Sequence, residues 1–198
     1  MNFRNIINKV RQAIGKKPNP TDIENVVPII VPRTYFGQGN WPGPYDYLQS
    51  EFLGLTWTIL HPGGIMVYVN HEDVLVWDSE HINWREMASH NLIRISKNKL
   101  WTNEKKDANG RLLWAVMMHK DGLGSSRLLL QKEISEAIGE KYRVGLPDRS
   151  CAIVIPESAG RENMMEVKQI VQRMFENAAA PMLCNLFDPS DLELSTSK

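Results

Sequence analysis

Seven consecutive residues, Asp121-Gly122-Leu123-Gly124-Ser125-Ser126-Arg127, lie between the apolar runs LWAVMM and LLL. Read as the start of a helix running from Ser126 to Ile138, they expose free backbone N–H groups and a partial positive charge. The first turn carries no acid, Arg127 adds a cation, and two glycines allow a ligand to come close. Such a helix end suits an anion. The competing use of the same residues is capping by Ser125 or Ser126, with Asp121 supplying the negative charge. A second spot, LPDRS, turns at Pro147 and Asp148 and sends Arg149 out at the base of an apolar strand. An arginine there needs a partner, either a bound anion or a carboxylate such as Asp148 or Asp121. If LWAVMMH and CAIVI are neighbouring strands, both turns fall at one end of a sheet. The candidate anion site is therefore Ser125, Ser126, Arg127, Arg149 and Asp121, and no residue is assigned a catalytic role.

Stronger chemical signatures fail. GLGSSR lacks the third glycine of a dinucleotide fingerprint and the lysine of a phosphate loop. It also has Leu128 where a serine nucleophile elbow requires glycine. Glu86 and His90 stand four apart on one helix, a spacing that serves two metal ligands, but no third or fourth ligand accompanies them. The two cysteines, Cys151 and Cys184, form no CxxC and no framework of paired spacings. They are expected to be reduced and unbonded, with Cys151 buried at the head of the run CAIVI. No metal and no cofactor is expected.

A third candidate is the stretch RTYFGQGNWPGPYDYL, rich in Gly, Pro and aromatics and too long for an ordinary connection. Tyr35, Phe36, Trp41, Tyr45 and Tyr47 would suit a partner-binding surface. The alternative is that the rings fold back to cover the core, since so many exposed aromatics invite association.

These spots need a scaffold to position them. Phe3, Ile6, Ile7, Val10 and Ile14 recur at helical spacing and predict an N-terminal amphipathic helix ended by Gly15, Pro18 and Pro20. VVPIIVP reads as an edge strand because Pro28 lacks an N–H. LTWTIL and IMVYVN alternate on either side of Pro62-Gly63-Gly64 and predict a hairpin, with Val74 to Trp77 as a further strand. A helix from about Trp84 is expected to be capped by Asn83 with Glu86 completing a capping box. Asn91 falls on its apolar face, so it should be buried and bonded to backbone outside the helix. Strands are expected at Lys99 to Thr102, Leu112 to Met118, Tyr142 to Leu146 and Cys151 to Ile155. Helices are expected from Ser126 to Ile138 and from Arg161 to Phe175. Paired strands with short turns between helices define an α+β class, with a mixed or antiparallel sheet and helices mainly on one face. The expected division is 1–20 helix and linker, 21–180 one domain, and 181–198 a C-terminal tail.

The bulk composition narrows the partners. The 198 residues carry 23 basic and 23 acidic side chains, so the basic excess that accompanies nucleic-acid binding is missing. No apolar stretch reaches the roughly 20 residues of a membrane helix. The start has charges in its first turns and lacks an uninterrupted apolar region, so no secretory signal is read there. A cytoplasmic location is expected.

The helix segment ASHNL, the segment DGLGSSRLLL and the run LPDRSCAIVIP together resemble the YtpQ-type family of bacterial proteins of unknown function. Residue by residue, the resemblance falls on Asn91 and Leu92, on Ser125, Ser126, Leu129 and Leu130, and on Pro147, Arg149 and the strand after it. VVPIIVP resembles that family's early proline-containing strand. The aromatic loop and the short sequence after the last helix depart from its pattern. The resemblance implies no activity. Together these readings lead to a non-enzymatic cytoplasmic binding or adaptor module that uses the aromatic loop. The alternative is an enzyme or binding protein for an anionic small molecule at the helix start and Arg149.

Overall fold

The strand β3 (Leu53–His61) organises the first half of the chain because residues on both of its faces are apolar or internally satisfied. Leu55, Trp57 and Ile59 join the main core, as their alternation predicts. Thr56 and Thr58 on the opposite face are buried as well, and each donates its hydroxyl to a backbone carbonyl, of Pro44 (2.8 Å) and Val67 (2.9 Å) respectively. In this computed structural model, residues 20–195 are described apart from 40, 63 and 98. The predicted N-terminal amphipathic helix lies outside the described residues.

β1 (Val26–Pro32) pairs with β3 along its whole length and, among the described residues, with no other strand, so it is the edge strand that Pro28 demands. On the other side of β3, β2 (Tyr45–Tyr47) and β4 (Ile65–Tyr68) share the edge end to end. A second sheet follows in the order β5 (Asn103–Lys106), β6 (Leu112–Met117), β8 (Cys151–Pro156), β7 (Tyr142–Asp148), β9 (Leu186–Phe187). All pairings within both sheets are antiparallel. The α+β class therefore holds, with the strands divided between two sheets instead of gathered in one.

Four α-helices are described: α1 (His71–Ser79), α2 (Trp84–Ser96), α3 (Gln131–Ile138) and α4 (Gly160–Glu176). α4 lays Val167 and Val171 on Ile153 and Ile155 of the second sheet. The opposite face of that sheet, with Ala152, Val154 and Val144, joins a core shared with Leu55 and Trp57 of the first. Among the described residues, no helix is long and apolar enough to cross a membrane.

Five local expectations are corrected. Val74 to Trp77 belongs to α1, because Asn70 and Asp73 form a reciprocal capping box (2.9 Å each way) and Trp77 anchors the helix in the core. Asn83 makes no side-chain cap; its amide instead donates to the Glu86 carboxylate at 2.7 Å. The strand expected at Lys99 to Thr102 is displaced to Asn103–Lys106, where alternating polar residues pair with β6 at a sheet edge. The helix expected from Ser126 starts only at Gln131; Ser126–Leu129 is a single 3-10 turn, and Leu130 breaks the run. Within the expected C-terminal tail, residues 186–194 pack on the domain. β9 pairs with β7, Leu192 is buried, and Leu194 bridges to Leu48.

Candidate functional site

Gly54 prepares the aromatic surface. A side chain there would run into the Phe36 ring, so glycine lets that ring lie directly on β3. Phe36 is buried and stacks on Tyr45 with centroids 4.3 Å apart. Its edge contacts reach Trp41 at 5.2 Å and Tyr47 at 6.2 Å, and Trp41 in turn meets Tyr68 at 4.7 Å. Tyr35 lies 6.1 Å from Trp41. Trp41 and Tyr68 are half-buried, and three rings are exposed: Tyr35 at 40 %, Tyr45 at 39 % and Tyr47 at 37 %. The Arg33 guanidinium lies 4.0 Å over the Tyr47 ring, a cation–π arrangement. A hydrogen bond with Tyr47, and then the charge on that neighbour, raises the Tyr45 phenol above its ordinary range. Phe36 covers the core while the three tyrosines face outward. Phe52, 66 % exposed, escaped sequence reading; its carbonyl accepts from Arg33 N at 2.8 Å.

The serine turn is built differently from expectation. Arg127 is only 1 % exposed and binds Asp121 through both guanidinium ends, at 3.0 and 2.6 Å. Burial pushes the Asp121 carboxyl up, but Arg127 and the Leu123 N–H outweigh it and hold the group below its ordinary value. Ser125 and Ser126 are buried. Ser125 donates its hydroxyl to the Arg149 carbonyl, so the serine turn and the PDR turn do meet, as the sequence predicts. The contact is possible because position 124 is glycine: a Cβ there would strike the carbonyls of Ser150 and Met117. Ser125 therefore ties the two turns together and Arg127 braces its own turn through Asp121, while Ser126 is buried, so the three do not present a helix end to solvent. Asp121 and Arg149, by contrast, line an open cleft of about 390 Å³ with Lys120, Asp148, Ser150 and Tyr68.

Asn91 lies outside that cleft. It is 8 % exposed, and its amide donates at 2.9 Å to both Ile23 O and Val26 O, tying α2 to the start of β1. A larger and more apolar cleft of about 560 Å³ lies beside α2, walled by Leu55, Trp57, Leu92 and Leu192 with the Arg85–Asp46 ion pair at its edge. Cys151 and Cys184 are free thiols; Cys151 is buried and Cys184 partly exposed. No cluster of three metal-ligating side chains occurs among the described residues.

Fold and site together define an α+β protein with two antiparallel sheets, an outward-facing tyrosine surface and a small polar cleft beside it. A scan of protein-family models and searches of curated proteins and solved structures find no match for this chain.

Proposed function

We propose that this chain is a non-enzymatic cytoplasmic binding module that recognises a protein partner through Tyr35, Tyr45 and Tyr47. The observation that carries the reading is three exposed tyrosines packed around a buried Phe36 and a half-buried Trp41, with Arg33 stacked at the margin. Tyrosine and arginine are the residue types that dominate binding hot spots, because each joins a large apolar face to a hydrogen-bonding tip. Rings fixed by stacking lose little side-chain freedom on association, which lowers the cost of binding. Two free thiols fit the reducing compartment that the reading implies. Kinship with the YtpQ-type family remains part of the proposal and adds no activity to it.

The test compares affinity capture by the wild-type chain and by a Tyr35, Tyr45, Tyr47→Ser variant of matched thermal stability. A partner held by the first and lost by the second is then purified and titrated. Each hot-spot tyrosine should contribute about 2 kcal/mol, or roughly thirtyfold in Kd. Equal capture by both chains would overturn the reading.

A further inference from the structure

The cleft at Arg149 has a use that does not depend on the tyrosine surface. Its charged lining is Lys120, Asp121, Asp148 and Arg149. Both carboxylates are already engaged. Asp121 is held by Arg127 and the Leu123 N–H. Asp148 accepts from Ser150 N (2.7 Å), Ser150 Oγ (2.5 Å) and Ala180 N (3.1 Å). Lys120 and Arg149 make no ion pair within 4.0 Å among the described residues. With Arg127 behind Asp121, three cations surround two carboxylates, a net excess of one positive charge; Asp148 faces Arg149 only at long range and is itself satisfied by Ser150 and Ala180. Arg149 is also preset. Its carbonyl accepts from Ser125 Oγ, its N–H donates to Ala180 O at 3.2 Å, and it lines the cleft together with Tyr68. A clamped backbone carrying a guanidinium at a cleft mouth is a fork for an oxyanion, with little ordering left to do on binding.

We propose that this cleft binds a small organic anion through a carboxylate or phosphate group, gripped by Arg149 and Lys120. The ligand's apolar part lies against Ile29, Met66 and Ala179, which line the same cleft. A volume of about 390 Å³ is at the small end of the range for small-molecule sites.

The probes are inorganic phosphate and acetate, each titrated against sodium chloride at constant ionic strength. Thermal melting and isothermal calorimetry are read on the full chain. A saturable rise in Tm is expected, about 3–5 °C at ten times Kd. Arg149→Met should weaken binding at least tenfold and Lys120→Met several-fold; both side chains are exposed, so the fold should survive. Saturation by phosphate alone assigns a phosphorylated ligand, and saturation by acetate a carboxylate. A rise that is linear in salt and equal in wild type and both variants reflects preferential exclusion, and overturns the proposal. So does the absence of any rise.

Discussion

Replacing Asn91 by leucine tests whether one buried amide holds two elements together. The wild-type amide donates at 2.9 Å to Ile23 O and at 2.9 Å to Val26 O, and its own oxygen accepts from Arg94 at 3.3 Å. Leucine keeps the branched heavy-atom skeleton but leaves two acceptors without their donor, on residues that are 5 % and 0 % exposed. Each orphaned buried group costs about 1–3 kcal/mol. Local rearrangement that admits water relieves part of that, so a total loss of about 2–4 kcal/mol is expected. Against a typical stability of about 5–15 kcal/mol this is a large fraction. Asn91→Asp should be worse at neutral pH, because a carboxylate would then face two carbonyl oxygens. Acidification should partly rescue it, since the protonated acid regains one donor. The assay is urea denaturation followed by tryptophan fluorescence, with the midpoint and slope read separately. A change below about 0.5 kcal/mol for leucine, or aspartate matching the wild type at neutral pH, would refute the role assigned to the amide.

Gly124→Ala should destabilise by about 1–3 kcal/mol in thermal melting, because its Cβ meets two backbone carbonyls that cannot rotate away. Gly37→Ala, with open space around it, is the neutral control. Asp121→Asn should cost about 2–3 kcal/mol by leaving the Arg127 guanidinium buried without its counter-charge, a figure reduced because Asp121 itself is a third exposed. The folded state lowers the Asp121 pKa, so the wild-type contribution is full above the ordinary carboxylate range and is lost as pH falls through the folded value. The Asp121→Asn chain should therefore show a flatter acid limb in a stability–pH series. Burial, and then Asp148, pushes the Cys151 thiol up to about 12. A thiol reagent at pH 8 should accordingly modify Cys184 in the native protein and reach Cys151 only after unfolding; equal rates would contradict the buried position.

Much of the scaffold was legible because its signals are local. The hairpin announced itself by alternation around Pro62, and Asn91 by being the wrong residue type on an apolar stripe. The Asn70–Asp73 pair was also present in the sequence as a capping pattern, but the β-branched and aromatic run Val74-Leu75-Val76-Trp77 read as strand. The division into two sheets was not legible, because no local pattern says whether β4 and β6 share hydrogen bonds or only a core. The displaced strand shows the same limit from the other side. Asn103–Lys106 has weak strand character of its own and is ordered by its pairing with β6.

The serine turn shows why residue types alone misplace a binding site. Ser125, Ser126 and Arg127 carry the chemistry an anion would want, and the sequence rightly brings them next to Arg149. All three are nonetheless buried, and two of them turn their polar ends inward. The Ser125 hydroxyl goes to the Arg149 carbonyl, and both ends of the Arg127 guanidinium go to Asp121. What is left for a ligand is the group whose backbone is held and whose guanidinium makes no ion pair within 4.0 Å among the described residues. Arg149 meets that condition because its neighbours bind its main chain. The same internal bonds that remove the serines from the site therefore aim the arginine into it. The polar residues of the family resemblance divide along this line: Asn91 and Ser125 secure the fold, and Arg149 reaches the cleft.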